Sequence, residues 1–214
     1  MMLLYAIVPP GARLPVREGI AGAPLEAVEG SAAAMVVERC GEPPDASEAD
    51  SALAFAQIVA AIAEQTATLP IRFPTSLDSR EAVLAELEAR GGDWARRLGE
   101  IDGLCEVSIR ARAPQTDPDD GAEPTGPGTA YLARRASALR DLEATAERIE
   151  HVAGQWARET RRLPAREGVR VACLVAKADV PALRSALHES LDSEFGGVEV
   201  AGPWPPFRFV EGRP

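Results

Sequence analysis

The sequence predicts an α+β protein in two domains, and three observations carry that expectation. Short apolar runs of strand character alternate with longer stretches of helical periodicity along the whole chain. The 214 residues exceed one small domain and allow two, since domains run to roughly 100 to 200 residues. Between Pro114 and Gly128 lie four prolines, three glycines and four acids with almost no apolar residue, the composition of a linker or loop. The expected division is therefore residues 1–112, a connection over 113–128, and residues 129–214, with strand 104–112 sharing the sheet of the second domain.

In the first domain Leu3 to Val8 is an apolar strand closed by Pro9 and Pro10. Leu25 to Glu29 and Ala32 to Glu38 flank Gly30-Ser31, a hairpin signal. Pro43-Pro44-Asp45 ends that segment, and Ser47 is the expected N-cap of a helix with Glu48 and Asp50 in its first turn. Apolar side chains between Leu53 and Ile62 cover nearly every direction, so this helix is either buried in its own core or covered by a partner. Leu69 to Thr75, Leu-Pro-Ile-Arg-Phe-Pro-Thr, is a short strand whose prolines suit a sheet edge. Asp78 or Ser79 opens a second helix, with Val83, Leu84, Leu87, Trp94 and Leu98 on one face around Gly91-Gly92. Leu104 to Arg112 alternates Cys105, Val107 and Ile109 with Glu106, Ser108 and Arg110, a half-buried strand.

A long helix is expected from Thr129 to Leu163. One series of positions runs Leu132, Leu139, Ala146, Ala153, Thr160 and a second runs Leu142, Ile149, Trp156, Leu163, each stepping by seven, with Arg135 the departure in the second. A helix of that length spans roughly 50 Å at about 1.5 Å per residue, so it either kinks near Gly154 or projects. Its stripe lies across the sheet of its own domain or recruits another helix. Strand (Val169 to Ala176), helix (Val180 to Phe195) and strand (Val198 to Ala201) follow. Strand and helix alternating from Leu104 onward is the order of a ferredoxin-like sandwich. The last eleven residues hold three of the ten aromatics, Trp204, Phe207 and Phe209, in an extended tail that can dock as an edge strand or clamp.

Composition removes several function classes. The net charge is −10, and neither half is basic, with 17 acids against 10 bases up to residue 112 and 16 against 13 beyond it. A concentrated Lys/Arg surface for nucleic acid is not expected. Cys40, Cys105 and Cys173 show neither C-x-x-C spacing nor nearby histidines and read as reduced cytoplasmic thiols. The opening residues lack a basic n-region, and no apolar stretch is long enough for a bilayer span. Phosphate loops, nucleophile elbows and zincin motifs do not occur. Glu147 and His151, four apart, read as a solvated pair rather than metal ligands, and Asp117, Asp119 and Asp120 lack EF-hand spacing. No catalytic residue, cofactor or metal is expected. Arg72 either reaches a partner's carboxylate or faces solvent with its stem on apolar surface.

Taken together, Leu4-Tyr5-Ala6-Ile7-Val8, the Leu69–Thr75 strand, Gly128 with Tyr131-Leu132, and above all Gly202-Pro203-Trp204-Pro205-Pro206-Phe207-Arg208-Phe209-Val210 resemble the GvpF/GvpL family of gas vesicle proteins from end to end. The chain departs from that pattern in carrying Pro74 where the family usually has glycine and Phe55 or its neighbours where it usually has histidine. The resemblance implies a cytoplasmic, non-enzymatic accessory protein associated with the gas vesicle, with a ferredoxin-like second domain. It implies contact with the small hydrophobic shell protein and other gas vesicle proteins, without nucleic acid or membrane insertion. Helix-in-groove packing or strand addition would cover the shell subunit's apolar face. The candidate partner contacts are Arg72, Tyr131, Leu139, Leu142, Ile149, Trp156, Trp204, Phe207 and Phe209. The alternatives are a small-molecule sensor with a pocket between sheet and helix, and an enzyme using Cys105 or His151.

Overall fold

The structure is a computed structural model that describes residues 1–112, 127–165, 168–195 and 197–211, with the backbone alone at 127–131, 133, 134 and 192–195. The expected connection at 113–128 lies outside the described residues over 113–126, and Pro127 and Gly128 already belong to a helix. The chain divides into two compact units, Met1–Cys105 with Trp204–Pro214, and Glu106–Pro203. Sequence reading grouped the tail with the second half, whereas residues 204–214 complete the first unit.

The first unit is built on β1 (Met2–Val8), β2 (Leu25–Glu29), β3 (Ala34–Arg39), β4 (Leu69–Pro70) and β5 (Ser76–Leu77), with α1 (Ala49–Gln65) and α2 (Arg80–Ile101). The sheet order is β2-β3-β1-β4, and β5 also pairs with β1. The hairpin forms as its turn residues predict, with Glu29 opposite Ala34 in an antiparallel register. Every residue of β1 is buried, which requires cover on both faces, and α1 and α2 both pack on it. Leu3, Tyr5, Val36, Phe55, Val59 and Ile62 form one core, in which the Phe55 ring stacks on Tyr5 at 4.7 Å.

Three local expectations are corrected here. Glu48, not Ser47, precedes α1 and makes no side-chain cap, because Asp45 already accepts from the Ser47 amide in a turn of its own. The 69–75 strand is interrupted: β4 ends at Pro70, yet Ile71 still donates to the Tyr5 carbonyl and Leu4 to that of Thr75, both at 2.9 Å. On α2 Leu84 is exposed and Trp94 half-buried, while Arg97 is buried in their place. Of the two expected openings of α2, Asp78 and Ser79, it is Ser79 that caps the helix, its hydroxyl accepting from Ala82.

The second unit runs β6 (Leu104–Ala111), α3 (Pro127–Ala153), β7 (Ala157–Leu163), β8 (Val169–Ala176), α4 (Val180–Phe195) and β9 (Val198–Trp204). Its sheet order is β7-β8-β6-β9. The expected 129–163 helix stops at Ala153. Gly154 closes the last turn by donating to the Glu150 carbonyl, and residues 157–163 form a strand antiparallel to β8. The seven-residue spacing continues through Thr160 and Leu163, but helix-poor Gly154 and the hydrogen-bonding edge of β8 override it. The expected half-buried β6 is instead buried at Glu106 and Ser108 as well, leaving only Arg110 exposed, because it runs inside the sheet between β8 and β9.

Candidate interaction site

An arginine on α2 anchors the tail. The prolines Pro205 and Pro206 are buried and hold the approach extended, and Phe209 is fully buried in the first unit. From α2, the buried Arg97 donates to the Phe209 carbonyl through Nε at 3.0 Å and Nη2 at 2.8 Å. Its Nη1 donates to Glu100 at 2.8 Å, an interaction that holds the Glu100 carboxyl below its ordinary range. A planar guanidinium can make such a forked contact where a lysine cannot. Trp204 and Phe207 remain outside this clamp, 51% and 36% exposed. The tail therefore has an internal anchor and two external aromatics.

Along α3 the environment changes halfway. Ala146, Ile149, Val152 and Ala153 are buried where the helix packs on β8 and α4. Toward its N-terminus Leu132 and Leu139 are 65% and 59% exposed, and Leu142 is half-buried. Trp156 is half-buried in the turn that follows. Arg72 is exposed, and its carbonyl accepts from the Thr75 hydroxyl. The Tyr131 side chain lies outside the described residues. Of the nine expected contacts, Arg72, Leu139, Trp204 and Phe207 thus face solvent, whereas Ile149 and Phe209 are core residues of their own units.

A buried polar network lies behind β1. Glu38 on β3 is fully buried. One carboxylate oxygen accepts from the Ala21 and Ala23 amides at 2.9 Å and the other from the Tyr5 hydroxyl at 2.6 Å. That hydroxyl in turn accepts from the Ile20 amide at 2.9 Å. Burial, and then the neighbouring carboxylate, push the Tyr5 phenol well above its ordinary range. Such a group ties the 17–24 loop to β1 and β3. Sequence reading missed both Glu38 and Arg97. A signal existed for Glu38, since Ala34, Val36 and Glu38 share one face at strand period.

The cysteines are all buried. Burial raises the Cys173 thiol to about 12, which leaves it protonated and unreactive at neutral pH. Among the described residues no group of three or more His, Cys, Asp or Glu is placed to hold a metal.

The sequence matches the family described as "Gas vesicle synthesis protein GvpL/GvpF" over residues 1–211. The chain belongs to the GvpL/GvpF family. Two solved structures share its fold. GvpF from Microcystis aeruginosa aligns with a TM-score of 0.80 at 16% identity, covering 98% of each chain. GvpF from Anabaena sp. PCC7120 aligns with a TM-score of 0.83 at 13% identity, covering 99% of this chain and 96% of that one. Among curated proteins none matches it by sequence. Membership assigns this GvpL/GvpF protein a role in gas vesicle formation, in a family of accessory proteins not known as enzymes. Among the described residues no helix is long and apolar enough to cross a membrane.

Proposed function

We propose that this GvpL/GvpF protein acts in assembly without catalysis, by binding the small hydrophobic shell protein, other gas vesicle proteins or both, in the cytoplasm and on the forming vesicle. The observation that carries the reading is the exposure of Trp204 and Phe207 beside a tail anchored by Arg97 and Phe209. Aromatic side chains held on a fixed backbone are favoured binding anchors, because little conformational freedom is lost when they dock. A shell subunit released bare would expose its apolar face, and a carrier would cover it until addition. We also read the second unit as a ferredoxin-like domain, which the β-α-β-β-α-β order of residues 104–204 supports.

The test is co-expression with the shell protein followed by pull-down, using wild type and a Trp204→Ala, Phe207→Ala variant shown to be folded by circular dichroism. Capture by wild type and its loss in the folded variant are the expected results. Failure of wild type to capture a demonstrably dispersed shell protein would remove the reading.

A further inference from the structure

A second arginine holds a carbonyl just ahead of the exposed aromatics. In the second unit the half-buried Arg184 on α4 donates through Nη2 to the Gly202 carbonyl, near the end of β9. Gly202 stands at φ +125°, a region that side chains other than glycine rarely adopt. Pro203 after it has a fixed φ and no amide to give to a neighbouring strand. Trp204 follows as the last residue of β9, 51% exposed. The direction in which the chain enters Trp204 is thus set at Gly202, and Arg184 fixes the carbonyl at that point. Each hold is internal to its own unit: Arg184 and Gly202 lie within Glu106–Pro203, Arg97 and Phe209 within Met1–Cys105 and Trp204–Pro214.

The end of β9 is where such a hold has most to add. Val198 is buried, residues 200–202 are half-buried, and Pro203 and Trp204 are exposed, so packing on the strand fades toward the aromatic. The Arg184 Nε is buried without an acceptor among the described residues, and the bond to Gly202 runs from a single donor to a single carbonyl. This differs from the forked contact of Arg97, and a lysine can supply one donor where it cannot supply a fork. A side chain whose backbone is already fixed gives up less freedom when it docks.

We propose that Arg184 is a positioning residue for partner binding: by pinning the Gly202 carbonyl it holds the end of β9, so that Trp204 is presented in one orientation to an apolar surface of a partner protein. This rests on the assembly reading above and adds to it a residue that acts through Trp204. A contact that only stabilised the second unit would matter equally with and without that tryptophan, and a positioning residue would not.

The first test needs no partner. Trp94→Phe and Trp156→Phe leave Trp204 as the single tryptophan of the full chain, and its time-resolved fluorescence anisotropy reports nanosecond motion. Arg184→Met keeps the apolar stem and removes the donor, Arg184→Lys keeps a donor, and Gly202→Ala disturbs the backbone at the same point. Arg184→Met and Gly202→Ala are expected to raise the amplitude of fast depolarisation at an unchanged circular dichroism spectrum, and Arg184→Lys to restore most of the wild-type decay. An unchanged decay in the folded Arg184→Met and Gly202→Ala chains overturns the proposal. The second test titrates the shell protein in the pull-down. Arg184→Met is expected to weaken capture about fivefold, and to weaken it no further in a chain that already carries Trp204→Ala. Undiminished capture, or a loss of equal size in both backgrounds, overturns the proposal. Failure of the wild type to capture shell protein removes the assembly reading and with it the binding role of Arg184, whereas the anisotropy still reports the hold on Trp204, so the two failures are read apart.

Discussion

Glu38 is fully buried and accepts three hydrogen bonds. Removing a buried acceptor leaves its donors unsatisfied, at about 1–3 kcal/mol for a group of this kind. Glu38→Ala is therefore expected to cost about 2–4 kcal/mol and Tyr5→Phe about 1–2 kcal/mol, read as a lower urea midpoint at unchanged slope. Equal costs would refute the ordering. Gly19→Ala belongs to the same network, because a Cβ there would lie 2.2 Å from a Glu38 oxygen that its hydrogen bonds hold in place. In the second unit, Cys173 makes stability depend on alkaline pH. Its folded thiol titrates near 12 against an ordinary 9.0, so above pH 9 the unfolded chain loses the proton first. The contribution is complete below 9 and is lost as the pH rises toward 12, by up to about 1.4 kcal/mol per pH unit. Cys173→Ala should flatten the stability profile between those limits, and an unchanged slope would exclude the thiol as its source. Of these residues, sequence could locate Glu38 by strand period but not its donors, which come from a loop that carries no such period.

The elements that sequence located best were those with local signals: the Gly30-Ser31 hairpin, the Ser79 cap and the β8 strand. It failed over residues 157–163, where seven-residue spacing outlasts the helix. What holds that strand is long-range. Arg162 on β7 donates through Nε and Nη2 to the two carboxylate oxygens of Glu150 on α3, at 2.8 and 2.7 Å, and also to Glu143. Exposed ion pairs contribute about 0–1 kcal/mol each, and this forked arrangement sits at the upper end. Arg162→Lys, which keeps the charge and loses the fork, should lower the melting temperature nearly as much as Arg162→Ala, with the difference from wild type shrinking at high salt. A lysine variant as stable as wild type would show that charge alone suffices. The same strand manages an edge: β7 and β9 are the outer strands of their sheet, and Arg158 and Arg162 on one and Pro203 on the other discourage pairing with a further strand.

At the scale of the whole molecule, the family was legible because Gly202-Pro203-Trp204-Pro205-Pro206-Phe207 is a local pattern. The boundary was not, because assigning residues 204–214 to the first unit depends on Arg97 meeting a carbonyl 112 residues away. The surface sites were legible only as apolar positions, since periodicity gives a residue's face and not whether anything covers it. Ile149 and Leu139 lie in the same helix with opposite fates. The discontinuous first unit makes a direct prediction. A chain ending before Trp204 loses the buried Phe209 side chain, worth about 3–5 kcal/mol by analogy with Phe→Ala in cores, and leaves Arg97 without its carbonyl. A synthetic peptide of residues 204–211 added in trans should raise the melting temperature of that truncated chain and fail to do so when it carries Arg97→Ala. No rise in either background would refute the clamp as a stabilising contact. Arg97 thus also imposes a timetable. A ribosome adds about 5–20 residues per second, so the roughly one hundred residues between Cys105 and Phe209 take on the order of 5–20 s to synthesise. Throughout that interval the first unit is made but unsealed, waiting for Phe209 to reach Arg97.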